Sequence, residues 1–554
     1  MTVSTTSTSS TSSSGVSINS INSLIGTANT SRVSGLASGI DVDSIVAQLM
    51  TAESQPLVQM QQQLQLKEWQ RDDYRSMNTL LTTLQTNVQT MKLQGSYLAK
   101  TAASSNSSLV TATAGVTAGN ATYSLSNIEM ATSAYNTSTA SIVQTGKLDP
   151  DAYLSTQAAL GSPNSTISFT ITTYDQNNNK VDTPFSFDPT KITLNSMMST
   201  ISNSAAGVTA FYDSSSGQVS MTRTATGDMN TDVKDGSGNV TTKNPEMQFS
   251  GDFLTTTLKM DATQEQGGQD ATFTLNGLST SRHSNTFTMG GVTFNLQGNS
   301  TASAPSASIT VATDTDAVYK SISDFVDLYN TTISQINDKV DETRNRDYAP
   351  LTDTQKASMS ASDITSWTAK AQSGMLANDN ILTGALSQMR TDLYSSVGST
   401  GSSTVNQLAA IGITTSSNYL DHGKLIISDP DKLKSAISTD PQAFMNLFTN
   451  SGTTTNPDGT TSNVAYGSEG IMQRLNTTIT NTMNQIESMA GNTYSTDDTY
   501  SLGKDITSIN DQISAFKTKL QDVETRYYNE FDAMESAIQQ SNSQASYLSQ
   551  LTGG

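Results

Sequence analysis

Apolar and polar positions divide the chain into a polar lead-in, two helical ends and a β-rich middle. Residues 1 to about 36 are a Ser/Thr/Asn/Gly tract with scattered Val and Ile. That composition buries too little apolar area to offset backbone entropy, so the tract is expected to be mobile in the free chain. The texture then changes. Ile40, Val42, Ile45, Val46, Leu49 and Met50 recur on three- and four-residue spacing, behind Ser38 and Gly39 where a helix can start. Pro56 punctuates the pattern. Leu57, Met60 and Leu64 follow, then Arg71 and Tyr74, then Met77, Leu81, Leu84, Val88 and Met91, with polar residues between them. This spacing predicts a long amphipathic or coiled-coil helix ending near Gly95.

The C-terminal end mirrors this. Ile506, Ile509, Ile513, Phe516, Leu520, Val523, Tyr527, Phe531, Met534, Ile538, Ser541, Ala545 and Leu548 are separated by steps of three or four. A seam so regular needs a partner, and the N-terminal helix pair has the length to supply one, which places the two chain ends side by side. The seam weakens through Ser541, Gln544 and Ala545 before Tyr547, Leu548 and Leu551. That fading suits a helix whose end orders only on assembly.

Between the ends the period drops to two. Leu109–Thr113, Thr122–Ile128, Thr166–Tyr174, Thr183–Phe187, Val208–Tyr212 and Val219–Thr224 are short and rich in β-branched residues, separated by Gly, Asn, Asp and Ser. Asp213–Gly217 and Asn276-Gly277 are turn signals, and Ile192–Ile201 is a helical interruption. A second β group comprises Ala271–Leu275, Thr286–Met289, Val292–Leu296 and Ala307–Val311. Thr315 or Asp316 then caps a helix through Val318, Ile322, Phe325, Val326, Tyr329, Ile333, Ile336 and Val340. Helices return at Ile364–Ser373, Ile381–Tyr394, Pro430–Ile437, Gln442–Phe448 and Gly470–Met489, with a Gly/Thr/Asn/Pro-rich exposed loop over 451–465. The expected fold class is α+β and multidomain: a helical or coiled-coil stalk formed by both termini, with inserted antiparallel β domains.

Length and charge narrow the function classes. At 554 residues the chain exceeds a single core and divides into several units. Only 14% of residues are charged, and 29 basic against 49 acidic side chains give a net charge of −20. A field of that sign repels phosphate backbones and anionic headgroups, which makes nucleic acid and membrane surfaces poor partners. Without cysteine there are no disulfides, thiolate nucleophiles or Cys-based metal sites. Two histidines, His283 and His422, are too few for a His-rich metal cluster. No apolar run reaches the roughly 18 residues of a membrane span. The first basic residue is Arg32 and no apolar core precedes it, so the N-terminus does not read as a Sec-type signal. The protein is expected to stay inside or to leave by a route without cleavage.

The catalytic search returns almost nothing. Ser514 to Lys517 fits S-x-x-K, yet Phe516 lies on the helical seam and no S-D-N or K-T-G partner is present. Gly35 to Gly39 puts its Ser one position late for a nucleophile elbow. Asp314 and Asp316 lack the Gly and Glu of a calcium loop and are read as helix-capping residues. His283 is expected on a strand or loop with a satisfied hydrogen bond, and His422 in a turn. Trp69, Trp367, Tyr527 and Tyr528 are read as core residues. No catalytic, cofactor-binding or metal-binding set is assigned, and the chain is read as a non-enzyme.

The run Val33-Ser34-Gly35-Leu36-Ala37-Ser38-Gly39-Ile40-Asp41-Val42-Asp43-Ser44-Ile45-Val46, continuing through Glu53, Pro56 and Leu57, resembles the N-terminal signature of the flagellar filament capping protein family (FliD, hook-associated protein two). Ile192-Thr193-Leu194 followed by Gly207-Val208-Thr209-Ala210 is similar to a short repeat in inserted domains of flagellar filament proteins. Asp270–Gly277, Ser284-Asn285-Thr286, Gly291–Phe294, Asp314–Val318, Phe325–Asn330, Ile411–Thr414, Gly423–Leu425, Asp440-Pro441 and Leu447-Phe448 resemble the family's C-terminal half, in the family's order. The least family-like stretches are 136–165 and 228–265.

The resemblance implies a helical stalk carrying projecting β domains, assembled as a ring, commonly a pentamer, at the tip of the extracellular filament. There it would retain exported flagellin and promote its folding and polymerisation. It further implies export through the flagellar type III apparatus, an export chaperone, and the hook–filament junction protein and flagellin as partners, with no cofactor. The expected division is a flexible terminal tail over 1–36, N-terminal helices over 37–100, an inner β domain from 101–135 and 266–315, and an outer β domain over 136–265. A helical stalk with loops over 316–500 and a C-terminal coiled-coil helix over 501–554 complete it. The residues expected to carry assembly are Ile40, Ile45, Leu49, Tyr527, Phe531, Met534, Ile538, Leu548 and Leu551. The alternative reading is a surface adhesin whose inserted β domain binds host glycan or mucin. A secreted hydrolase would require a carboxylate pair that one sequence does not reveal.

Overall fold

The computed structural model describes residues 39, 41–237, 240–301, 306–398, 400–455 and 461–553. The expectation for residues 1–36 lies outside the described residues. The described residues form two compact units, one within 98–315 and one from the described residues on either side of it. In chain order the helices are α1 (Val42–Glu53), α2 (Gln55–Met91), α3 (Leu194–Ser202), α4 (Thr315–Val340), α5 (Asp353–Ala357), α6 (Ala361–Gln372), α7 (Asn380–Tyr394), α8 (Pro430–Thr439), α9 (Pro441–Thr449), α10 (Ile471–Ala490) and α11 (Ser501–Thr552).

The unit formed by both ends is helical. Asp41 caps α1 by accepting the Ser44 N–H at 3.1 Å, and Pro56 sits in the first turn of α2, where its missing N–H costs nothing. Along α2 the hydroxyls of Thr79, Thr82, Thr83, Thr86 and Thr90 each donate to the carbonyl four residues back. A chain poor in charge but rich in hydroxyls thus keeps its polar groups bonded on the helix itself. Elsewhere in this unit Arg474 is 1% exposed. It gives its guanidinium to three carbonyls, those of Tyr466, Ser395 and Ser396, at 2.9 to 3.1 Å.

The inserted unit is β-rich. Its strands are β1 (Lys100–Ser104), β2 (Val110–Ala114), β3 (Ala121–Glu129), β4 (Ser133–Thr137), β5 (Ile167–Tyr174), β6 (Lys180–Phe187), β7 (Val208–Asp213), β8 (Gln218–Thr226), β9 (Val233–Lys234), β10 (Val240–Thr242), β11 (Gln248–Ser250), β12 (Ala271–Leu275), β13 (Leu278–Arg282), β14 (Thr286–Met289), β15 (Val292–Leu296) and β16 (Ala307–Thr313). An antiparallel sheet ordered β1-β16-β3-β12-β13 and another ordered β14-β15-β2 enclose an inner core. Alternation decides its faces: Val292, Phe294 and Leu296 are buried while Thr293 and Asn295 are only half-buried. Asn276 and Gly277 both take positive φ, 48° and 84°, as the two-residue turn between β12 and β13 requires.

An outer core gathers Met197, Met198 and Ile201 of α3 with residues of the β4-β8-β7 and β11-β5-β6 sheets. The chain enters and leaves this outer core side by side, through antiparallel pairing of Thr132 with Gln269 and of Tyr135 with Gln266.

Four expectations change in detail. The apolar stripe of α2 serves two partners: its first half meets α1 and α11, while Gln85 and Gln89 bond across to Thr480 and Asn476 of α10. The 451–465 stretch contains paired strands β19 (Thr453–Thr455) and β20 (Thr461–Asn463), placed after the hairpin β17 (Ile413–Thr415) and β18 (Leu425–Ile427). The periodicity also missed β1, β4 and β13. Trp69 and Trp367 are half-buried rather than core, with the Trp367 indole N–H donating to the Ala349 carbonyl at 2.8 Å.

Candidate assembly interface

The two terminal stripes meet. Val42, Val46 and Met50 of α1, Leu57 and Leu64 of α2, and Ile506, Ile513 and Leu520 of α11 form one buried cluster. Met60, Ile509, Phe516, Val523, Tyr527, Tyr528 and Phe531 pack half-buried around it. Fully burying such a side chain contributes about 1.5–3 kcal/mol, enough to hold together helices that are marginal alone. Two polar contacts fix the direction. Lys67 pairs with Asp505 at 2.7 Å, and the Tyr527 hydroxyl donates to Glu53 at 3.0 Å. Positions fall along α1 and α2 as they rise along α11, so α11 runs antiparallel to them.

The seam is not dry. Ser54, Gln61, Gln65 and Glu524 are all buried, and the Gln61 side-chain carbonyl finds no hydrogen-bond partner among the described residues. Such an orphan costs about 1–3 kcal/mol. Burial pushes the Glu524 carboxyl above its ordinary range. Further along α2, burial raises Glu68 and Asp73 as well, and Lys339 partly offsets the latter from 3.0 Å. The helical unit is therefore held by apolar contacts that several polar groups weaken.

The structure distributes the predicted assembly residues unevenly. Ile40 lies outside the described residues. Ile45 is half-buried and Leu49 is 37% exposed, beside rather than on the buried face Val42–Val46–Met50. Tyr527 and Phe531 pack on the intramolecular cluster. Leu520 and Glu524 are the last buried residues of α11. Beyond them Met534 is 37% exposed, Ile538 half-buried, and Tyr547, Leu548 and Leu551 are 65%, 60% and 63% exposed. The sequence reading passed over Val42 and Met50 as site residues, although their step of four through Val46 continues the register of Leu57 and Leu64.

The chemical candidates have structural employment. Ser514 donates its hydroxyl to the Asn510 carbonyl at 2.9 Å, as a helix-surface serine does. His283 Nδ1 lies 2.7 Å from Asp270, in keeping with the satisfied hydrogen bond expected of it. His422 takes a left-handed conformation at the end of a short turn. Asp316 lies in the first turn of α4 and pairs with Lys434 at 2.7 Å. Among the described residues there is no group of three or more His, Asp or Glu placed to hold a metal ion, and no helix is long and apolar enough to cross a membrane.

Several residues quoted for the family resemblance act as backbone mimics. The Asn330 amide brackets Leu425, accepting its N–H at 2.7 Å and donating to its carbonyl at 2.8 Å. Asn285 does the same to Ala131, at 2.7 and 2.9 Å. A side-chain amide thus completes the hydrogen bonding of strand-end backbone that has no strand neighbour there. These motifs position the fold.

Comparison with known proteins gives a consistent answer. A family model described as the flagellar hook-associated protein 2 N-terminus matches residues 38–134, and one for its C-terminus matches residues 268–543. A flagellar hook-associated protein 2 of Halalkalibacterium halodurans is 34% identical over 548 residues, covering 94% of this chain and 99% of its own length. The protein of the same description from Thermotoga maritima is 23% identical over 639 residues, covering 94% and 96%. The crystal structure of the D1-D2-D3 domains of the flagellar cap protein FliD from Escherichia coli aligns with a TM-score of 0.48 at 20% identity, covering 79% of this chain and 99% of that one. With a relative 34% identical along nearly its whole length, and family models matching most of its residues, the chain belongs to the flagellar hook-associated protein 2 (FliD) family.

Proposed function

We propose that this chain caps the flagellar filament as a non-enzymatic oligomeric ring at the extracellular tip, retaining exported flagellin and promoting its folding and polymerisation. One observation carries the reading. The stripe of α11 is buried against α1 and α2 as far as Leu520, then runs on for several turns with apolar side chains 60–65% exposed at Tyr547, Leu548 and Leu551. A helix that keeps its apolar spacing beyond the cover given by the described residues is suited to packing against other subunits. Ile40, Ile45, Leu49, Tyr527, Phe531, Met534, Ile538, Leu548 and Leu551 are the residues assigned to this assembly, the half-buried ones linking the outer contact to the inner cluster.

Further copies of the chain, flagellin and the hook–filament junction protein are its partners in this reading, with an export chaperone before secretion through the flagellar type III route. In this reading the two ends form the legs. Deleting Tyr547–Gly554 tests it: the truncated protein is expected to keep its β-sheet circular dichroism but to lose its place on the filament, so that flagellin escapes into the medium. Filaments of normal length grown by the truncation overturn the reading. Electron microscopy of the purified protein is expected to show a ring with legs.

A further inference from the structure

The helical unit carries a second uncovered surface, at the opposite end of α2 from the tail of α11. Thr478 of α10 donates to Asp392 of α7 at 2.6 Å, and Gln85 of α2 donates to Thr480 of α10 at 2.9 Å. The end of α7 therefore stands level with the last turns of α2, about 45 Å along that helix from its start at Gln55. There Leu393, Leu408, Ile413 and Leu425, each 6% exposed or less, form the floor of a groove of about 150 Å³, with Tyr394 and Ala409 exposed on its rim. No residue lining it is charged.

Strands β17 and β18 border the groove and are joined by a tip that presents Tyr419 and Leu420, 84% and 61% exposed. Hydrogen bonds hold the tip in shape. The Asn418 side-chain carbonyl accepts the Leu420 N–H at 3.2 Å, the Ser416 hydroxyl accepts the Asn418 N–H at 3.1 Å, and the Ser416 N–H donates to the Lys424 carbonyl at 2.7 Å. A backbone already ordered loses little freedom on binding. An apolar cavity of about this volume takes one benzene-sized ring. Tyr419 offers a ring of that size and, at 84% exposure, leaves the groove of its own chain open.

We propose that Tyr419 of one copy seats in the groove of the next, so that each subunit gives a tip and receives one. This rests on the reading of the chain as a ring and names a second contact in it. Charge favours a second copy as the occupant. At a net charge of −20, copies repel one another wherever acidic surfaces meet, and an uncharged groove facing a Tyr-Leu tip lets them approach without that cost. Position favours it too: tip and groove lie at the same end of the helical unit, so copies standing side by side bring them together. A surface that gives on one side and receives on the other makes a heterologous contact, the kind that closes into rings. Contacts through the α11 tail alone leave a long leg free to pivot, and a second contact some turns away along α2 fixes its direction. An aromatic side chain buries about 150–250 Å², so one tip stays below the roughly 1,200 Å² of a stable complex. The groove therefore acts together with the tail and does not make a dimer by itself.

A chain without cysteine makes the test direct. Two full-length variants, Leu420→Cys and Ala409→Cys, carrying tags of different mass, are mixed at a concentration where sedimentation shows the ring, and are joined with a short bismaleimide. A cross-linked pair of the two different variants is expected, and neither variant alone is expected to give one. Tyr419→Ala is expected to weaken subunit association about thirtyfold, as loss of a tyrosine anchor does. Tyr494→Ala, at a tyrosine 94% exposed elsewhere in the helical unit, is expected to leave association within about twofold. A ring that forms without the mixed cross-link, or that tolerates Tyr419→Ala as well as Tyr494→Ala, overturns the inference and leaves the capping function standing. If no oligomer forms at any concentration, the ring reading and the inference fall together.

Discussion

One helix, α11, passes through two environments. Its first half, from Ser501 to about Phe531, lays an apolar face on α1 and α2 and buries Ile506, Ile513 and Leu520 to 7% exposure or less. Its second half keeps the same step of three and four through Met534, Ile538 and Leu548, yet no described residue there is buried. Periodicity alone does not separate the two halves. Coverage among the described residues does, with the buried positions of α11 ending at Glu524. The composition shifts in step with coverage: beyond Glu535 the helix carries no charged residue at all. A stretch without ionic side chains avoids the large cost of burying a charge on docking.

The largest expected effect comes from breaking the covered half. Leu520→Ala removes a side chain that is 3% exposed and is expected to cost about 2–5 kcal/mol, read as a lowered urea midpoint of the full chain by far-ultraviolet circular dichroism. The matching Leu548→Ala change is expected to move that midpoint by no more than about 0.5 kcal/mol. It acts instead on oligomer formation in analytical ultracentrifugation. If both substitutions destabilise the isolated chain equally, the contrast between the halves is lost.

A smaller effect sharpens the boundary. Glu524 is 6% exposed and burial raises its carboxyl. A raised folded value means that the group's contribution to stability is present below its ordinary 4.5 and is lost as pH climbs through the folded value. Glu524→Leu is expected to gain about 1–2 kcal/mol at pH 7 and to flatten the pH dependence of the thermal midpoint between pH 4.5 and 7. An unchanged slope in calorimetry would show that other acids, such as Glu68 and Asp73, govern it.

The smallest effect lies at the surface. Lys67 and Asp505 pair at 2.7 Å with side chains 38% and 51% exposed, so Lys67→Ala is expected to cost about 0.2–1 kcal/mol and to lose even that in 1 M salt. A larger, salt-independent loss would mean that the contact sets the register of the two ends rather than decorating it.

Much of the fold was legible because its signals are local. β12, β14 and β15 sit where alternation and the Asn-Gly turn put them, and α4 begins at Thr315 directly after the motif Asp314. Strands defined by distant partners were not legible. β1 is Lys-Thr-Ala-Ala-Ser, with little strand preference of its own, and exists because β16 pairs with it from some two hundred residues away. β17 and β18 were missed for a different reason: at three residues each they are too short for alternation to show, and the Asn330 amide ties them down. In the candidate interface the apolar stripes were visible, but which positions of α1 pack on α11 within the chain was not, because adjacent helical positions lie about 100° apart and only a neighbour selects the buried face.

By itself, then, the sequence determined the helical ends with their matching stripes, the β texture of the middle and the absence of thiol chemistry, since each depends on residue type and short-range spacing. The tertiary structure alone decided that α2 divides its stripe between α11 and α10 and that the coverage of α11 stops near Glu524. Those depend on which surfaces meet across hundreds of residues, and a one-dimensional period carries no information about the partner that ends it.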